Sequence, residues 1–366
     1  MRHIIRGDRA ALAAIAIVLA GCSATAGPRT PAPPDDRAPK AAGNTQRDSH
    51  QNPQRDRSAG ARDGAGKGAA GADPAAVGAN ELGAVPVLMY HRITEDPQIV
   101  DDRTPQEFRA ELERLAREGY VPVTAREFTG GEMDIPAGTH PVVLTFDDST
   151  PSQFRLDADG RPAPGTAVDT LLDVAGRHPG FRPVATFFVN ADPFGEPGGR
   201  KTLKWLDDHG FEIGNHTLEH SVLGEADAAM VQWDIASNQW LIDKALPDSP
   251  VVSMALPYGS MPRDRQLALT GEYGGVRYRH QGVYLAGGSP APSPYSADLD
   301  SGAIPRIRSQ AAATEEGAYG SEIWLDKLGD GAIEPYTSDG NPETVSFPRE
   351  QAHRLAFDHQ EAARPY

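Results

Sequence analysis

Pro141-Val142-Val143-Leu144-Thr145-Phe146-Asp147-Asp148 is the stretch around which the rest of the chain organises itself. An apolar run this short reads as a strand buried on both faces, and it ends abruptly in two adjacent carboxylates. Comparable apolar runs occur at Ala84 to Tyr90, Pro183 to Val189, Phe211 to Gly214 and Val251 to Leu256. Helical patterns lie between them at Ala167 to Arg177, Lys201 to His209 and Ala226 to Leu246. Another helix is announced by Thr104-Pro105-Gln106-Glu107, with a capping threonine, proline at the first position and glutamate at the third. Its apolar stripe is Phe108, Leu112 and Leu115, and Gly119 marks its end. Strand and helix in alternation predict an α/β fold built on a parallel sheet or barrel. No internal repeat accompanies it.

Outward from this core, the patterned region runs from about residue 84 to 312. Before it, residues 23–83 are rich in Ala, Gly, Pro, Asp, Arg and Gln, with no aromatic residue and almost no branched aliphatic. Such a segment cannot bury a core and is expected to be a disordered linker, with a span of roughly 40–50 Å for about sixty residues. Residues 1–22 open with Arg2, Arg6 and Arg9, continue through an apolar stretch from Ala10 to Ala20 and close on Leu19-Ala20-Gly21-Cys22. That is the layout of a secretory signal peptide, with an apolar run short of the roughly 20 residues a spanning helix needs. Residues 313–366 hold a plausible helix at Ser321 to Leu328 and a Gly-, Asp- and Pro-rich stretch, a C-terminal extension either packed on the domain or loosely ordered.

The 366 residues carry 35 Lys and Arg against 51 Asp and Glu, a formal charge of −16. This repels phosphate backbones and argues against nucleic acid as a partner. Cys22 is the single cysteine, which excludes an intrachain disulfide and a thiolate metal site.

Two segments can carry chemistry. Asp147 and Asp148 follow a strand, where βα folds build their sites, and neighbouring residues there point in different directions. His216-Thr217-Leu218-Glu219-His220 also follows a strand. Histidines four apart on one face of a helical turn can grip one ion. One carboxylate and two imidazoles make an open three-ligand set suited to a catalytic ion, and the remaining aspartate is available as a general base. The spacing is not that of a HEXXH site, since threonine follows the first histidine. A third segment, Ala255-Leu256-Pro257-Tyr258-Gly259, has the same strand-then-turn shape.

Together these segments resemble the three motifs of the polysaccharide deacetylases, carbohydrate esterase family four, in the family's order and across roughly residues 84–308. The resemblance implies a distorted (β/α) barrel of seven or eight strands. It implies Asp147 as general base, Asp148, His216 and His220 as ligands of a divalent ion, usually Zn2+ or Co2+, and the Tyr258 backbone N–H as a donor to the oxyanion. Leu19-Ala20-Gly21-Cys22 likewise resembles a bacterial lipobox, implying a membrane anchor of lipid on Cys22 and an extracytoplasmic location.

Two departures from the family pattern matter. Ala255 stands where the family usually has the arginine that orients the base, and Arg306 in Pro305-Arg306-Ile307-Arg308 is the favoured replacement. No Leu-x-His follows the third motif; instead Leu88-Met89-Tyr90-His91 opens the domain. This is similar to a circularly permuted branch of the family and implies His91 as the general acid. The expected activity is removal of N-acetyl groups from a cell-surface or extracellular polysaccharide, releasing acetate. An O-acetyl esterase on the same fold and an inactive, wall-tethered carbohydrate-binding protein are the competing readings, and the oligomeric state is left open. Tyr278 and Tyr284 are candidate substrate contacts, whereas Trp205, Trp233 and Trp240 on helical patterns are expected in the core.

Overall fold

The computed structural model describes residues 73–310 and 319–366. The expected signal peptide with Cys22, most of the expected linker and residues 311–318 lie outside the described residues.

The chain opens with β1 (Val87–Tyr90), α1 (Pro105–Arg117), β2 (Tyr120–Val123), α2 (Ala125–Gly130), β3 (His140–Phe146) and α3 (Ala167–Arg177). It continues through β4 (Thr186–Val189), α4 (Arg200–Asp208), β5 (Glu212–Asn215), α5 (Ala228–Ala245) and β6 (Ser253–Ala255). Then come α6 (Gln266–Leu269), β7 (Thr270–Tyr273), β8 (Val276–Arg279), β9 (Gly282–Tyr284) and β10 (Ile307–Arg308). The last elements are α7 (Ser321–Gly329), β11 (Val345–Phe347) and β12 (Ala363–Pro365).

Eight strands form one sheet in the order β10-β1-β3-β4-β5-β6-β9, with β2 also paired to β3. Every pairing within it is parallel. The sheet curls: a parallel bridge from Tyr284 on β9 to Ile304 brings one end of the sheet to the segment that enters β10 at the other. The result is the expected α/β architecture, a distorted barrel of parallel strands with helices outside.

Strand alternation explains which side chains face the interior. On β3, Leu144 and Phe146 pack outward under the helices with Phe108, Leu112 and Leu171, while Val143 joins the inner cluster with Phe188 and Tyr284. Outside the barrel, Tyr90, Phe146 and Phe187 form a stack with centroid spacings of 5.0 and 4.9 Å. Continuing the same alternation past the end of β3 turns Thr145 and Asp147 inward. The predicted cap of α1 is present: the Thr104 hydroxyl accepts from Glu107 N–H at 3.2 Å, and the Glu107 carboxylate accepts from Thr104 N–H at 2.9 Å. Thr124 and Glu127 repeat the device at α2, each such cap contributing about 1 kcal/mol.

The folded body begins earlier than the expected residue 84. Asn80 N–H donates to Thr337 O at 2.9 Å and Glu81 N–H to Ser346 O at 2.8 Å, and Ala79 and Leu82 are fully buried. Gly83 permits this docking, because a Cβ there would sit 2.2 Å from Pro335 O. The described part of the C-terminal extension, residues 319–366, is packed rather than loose: Tyr336, Val345 and Phe347 are buried in the inner cluster. The Tyr366 hydroxyl donates back to Ala79 O at 2.8 Å. Among the described residues, no helix is long and apolar enough to cross a membrane.

Candidate metal and catalytic site

The carboxyl ends of β1, β3, β5 and β6 converge on one cavity of about 450 Å3, lined by His91, Asp147, Asp148, His216, His220 and Tyr258 among others. Each group arrives on a sharp turn. Asp148 and Ser149 leave β3 with φ of 72° and 45°, Thr217 and His220 have φ of 60° and 54°, and Tyr258 has φ of 58°. Left-handed conformations at non-glycine residues cost free energy and persist only where surrounding structure enforces them. Here four of these five residues fall within the three motif segments, and Ser149 directly follows the first.

Asp147 is 2% exposed, and Arg306 grips it at both oxygens, Nη1 to Oδ1 and Nη2 to Oδ2, each at 2.7 Å. The fully buried guanidinium is itself fixed by Nε donating to Leu285 O and Nη1 to Thr145 Oγ1 at 3.1 Å. Burial alone would raise the Asp147 pKa, but the Arg306 charge outweighs it and, with the neighbouring imidazoles, holds the carboxyl well below the usual carboxylate range. Ala255, at the position of the absent motif arginine, contributes only its carbonyl, which accepts from His216 Nδ1 at 2.9 Å.

That contact turns His216 Nε2 toward Asp148 Oδ1, 3.5 Å away, and His220 Nε2 lies 3.3 Å from the same oxygen. One ligand atom from each of Asp148, His216 and His220 falls within 4.8 Å of the others. The two histidines do not share a helical turn, as their spacing predicts; they sit on an irregular loop whose left-handed residues bring the ring centroids to 4.9 Å. His216 Nε2 is buried without a hydrogen-bond partner, and an orphaned imidazole nitrogen facing a carboxylate and a second imidazole fits a divalent cation. The electrostatics agree. Although burial opposes charge on both groups, the two carboxylates push the His216 pKa up and His216 pulls the Asp148 pKa down, so the pocket favours positive charge.

His91 follows β1 and lines the same cavity, its Nδ1 buried without a hydrogen-bond partner among the described residues. Tyr258 sits in the Pro257–Gly259 turn, 68% exposed, its ring edge-on to His220 at 4.6 Å. Gly259 makes this turn possible with φ of 65°, and a Cβ there would meet Ala286 N at 3.0 Å. Thus Asp147, Asp148, His216, His220, His91, Tyr258 and Arg306 are all brought together. Tyr278 and Tyr284 are not: they are 3% and 0% exposed, their hydroxyls donating to Leu267 O and Ala125 O.

Two further residues hold the site, and neither was singled out in the sequence. Gln153 Nε2 donates to the carbonyls of Asp147 at 2.5 Å and His91 at 2.9 Å, tying the ends of β3 and β1 together. Asp234, fully buried on α5, accepts from Glu219 N–H at 2.8 Å and Ser221 N–H at 3.4 Å, bracketing His220. Their partners are backbone groups remote in sequence, so no local motif announces them.

Residues 134–274 match the polysaccharide deacetylase family, a span that takes in all three motif segments. Across that span the chain is similar to a polysaccharide deacetylase domain. His91 and Arg306 lie outside the matched span, His91 directly after β1 and Arg306 directly before β10. A curated relative, the chitooligosaccharide deacetylase of Bradyrhizobium sp. (strain ANU 289), is 28% identical over 145 residues, 40% of this chain. The chain spans 57% of that relative's length. Among solved structures, the Streptococcus pyogenes deacetylase PplD in complex with acetate is 19% identical with a TM-score of 0.46, covering 62% of this chain and 92% of that one. IcaB from Ammonifex degensii is 18% identical with a TM-score of 0.47, covering 66% of this chain and 97% of that one.

Proposed function

We propose that this deacetylase domain is a metal-dependent hydrolase that removes N-acetyl groups from an extracellular or cell-surface polysaccharide. The observation that carries the reading is the convergence, in one cavity, of a carboxylate clamped by Arg306, a three-ligand set with an orphaned His216 Nε2, and His91. A divalent ion, Zn2+ or Co2+ by the family's habit, held by Asp148, His216 and His220 would supply Lewis-acid polarisation of the acetyl carbonyl.

The Arg306 charge holds Asp147 in its ionised form, so it can take a proton from an attacking water. Arg306 fixes both its oxygens, which leaves the carboxylate one orientation toward the cavity. Water adds to the acetyl carbon, and the resulting oxyanion is received by the Tyr258 backbone N–H, presented by the left-handed turn. The C–N bond then breaks as His91 passes a proton to the departing nitrogen, yielding acetate and a free sugar amine. No covalent acyl-enzyme is required. His91 directly after the first strand, with Arg306 directly before β10, the strand that pairs with it, supports a permuted version of the family fold. The segment at residues 1–22 supports export and lipid attachment at Cys22, with residues from 23 onward as a tether.

The test is acetate release by the full chain from N-acetylglucosamine oligomers, after chelation and again with zinc or cobalt restored, beside Asp147→Asn. Metal-restored release that the variant abolishes is expected. Turnover of a chromogenic acetyl ester without N-acetyl release would assign O-ester hydrolysis instead, and glycan binding without turnover of either would overturn the enzymatic reading.

A further inference from the structure

Helix α5 is apolar on its outer side as well as its inner one. Met230, Trp233 and Trp240 follow one stripe along it, and against expectation Trp240 is 53% exposed and Met230 46% exposed. Trp205, by contrast, packs on the core beside Phe154 as expected. The β7–β8 hairpin lies along α5, tied to it where Glu272 N–H donates to Gln232 Oε1 at 3.4 Å, and it carries Tyr273 at its turn, 46% exposed. Gly271 lets the hairpin close, since a Cβ there would run into the Tyr278 hydroxyl at 2.2 Å.

Between helix and hairpin opens a groove of about 480 Å3, lined by Leu218, Trp233, Ser237, Trp240, Leu241 and Tyr273 with small residues between them, and no charged side chain. The Lys244 ammonium lies over the Trp240 ring at 4.4 Å. One end of the groove is Leu218, which stands between His216 and His220, and its N–H donates to Asp234 O on α5 at 3.1 Å. The groove is therefore continuous with the loop that carries the two histidines.

We propose that this groove is a second glycan-binding site, which holds a neutral N-acetylated sugar chain beyond the catalytic cavity; it rests on the polysaccharide reading given above. Pyranose rings present apolar C–H faces that stack on exposed indole and phenol rings, as these side chains combine an apolar body with a polar tip. An uncharged lining suits an uncharged sugar rather than an acidic or basic peptide.

The experiment compares the full metal-loaded chain with its Trp240→Ala/Tyr273→Ala double variant on the disaccharide and hexasaccharide of N-acetylglucosamine. Both side chains are exposed, so the variant is expected to fold normally. KM for the hexasaccharide should rise roughly tenfold with kcat unchanged, while disaccharide kinetics stay put, and Trp240→Phe should retain most of the wild-type value. An equal response of the two substrates, no response, or conversion of a dimer to a monomer in sedimentation would overturn the proposal. If the wild type releases no acetate from either, the deacetylase reading fails and calorimetric titration with the hexasaccharide decides for the groove alone: binding lost in the double variant supports it, and equal or absent binding removes it.

Discussion

Asp147 and Glu212 are both carboxylates buried inside the same barrel, and they behave in opposite ways. Asp147 follows the carboxyl end of β3; Glu212 is the first residue of β5, at the amino end. Burial penalises the charge of each. Asp147 meets a guanidinium at both oxygens and is held ionised, its pKa far below the usual range. Glu212 accepts from Ser253 Oγ at 2.6 Å, Arg126 N–H at 2.8 Å and Thr186 Oγ1 at 2.9 Å, all neutral donors, and burial drives its pKa up. Depth does not decide which buried carboxyl keeps a charge; the nature of its partner does. The barrel thus favours charge on the buried carboxyl at the end where chemistry is proposed and disfavours it at the other.

The sharpest way to break this contrast is to remove the cation. Arg306→Leu should leave Asp147 buried and unpaired, lowering stability by about 3–5 kcal/mol in urea unfolding. It should also cost about a thousandfold in kcat/KM for acetate release, the contribution of an oriented general base. Arg306→Lys should recover part of the stability and little of the activity, because one ammonium cannot hold two oxygens at once. Wild-type activity in the leucine variant would show that the clamp is not needed.

A buried imidazole extends the comparison. His280 is buried, its Nδ1–H donates to Ala268 O at 2.7 Å, and burial pushes its pKa down to about 4. The unfolded chain binds that proton near pH 6.5 and the folded one does not, so stability from this group is complete above 6.5 and is lost as the pH falls toward 4. The loss should reach about 3 kcal/mol, and His280→Asn, which keeps a donor toward Ala268, should abolish that part of the acid sensitivity in denaturation curves at pH 4.5 and 7. Equal slopes in the two proteins would refute it.

Asp234 tests a buried carboxylate whose partners are backbone N–H groups of a ligand loop. Asp234→Ala should weaken zinc binding by about 10–100-fold in calorimetric titration, as loss of the groups that orient metal ligands generally does. Unchanged zinc affinity would assign Asp234 to the fold alone.

Much of the fold was legible because the barrel strands are apolar runs and helix starts carry their own signals: β3, α1 and α3 lie almost where the patterning puts them. The site was legible where residues are local: Asp147 with Asp148, His216 with His220, and the Tyr258 turn. Arg306 could be named only as a downstream candidate, since its pairing spans the barrel, and β10 is two residues long, too short for any periodicity. β2 escaped because Pro122 sits within it, an arrangement that alternation reads poorly. The domain start was misplaced because Ala79, Leu82 and Gly83 are too sparse to look like a core until the C-terminal extension covers them. Trp240 shows the converse error, a large apolar side chain on a helix that the hairpin only partly covers.

The smallest expected effect is also the one that isolates the principle. In Glu212→Gln the amide oxygen can accept from Thr186 and Arg126 while its NH2 donates to Ser253 Oγ, so every hydrogen bond has a replacement. At acidic pH, where wild-type Glu212 is protonated in both states, stability should change by less than about 1 kcal/mol. Because the folded pKa is raised, the folded protein holds more protons than the unfolded one once the pH passes the ordinary glutamate range, and wild-type stability declines there with rising pH. The glutamine protein has no proton to lose, so its advantage should grow as the pH rises above the ordinary glutamate range in parallel urea titrations. The same isosteric change at Asp147 must do the reverse and destabilise, since an amide cannot neutralise the Arg306 guanidinium. If Glu212→Gln instead loses stability as the pH rises, Glu212 is ionised in the folded state, and the contrast between the two ends of the barrel is not one of charge.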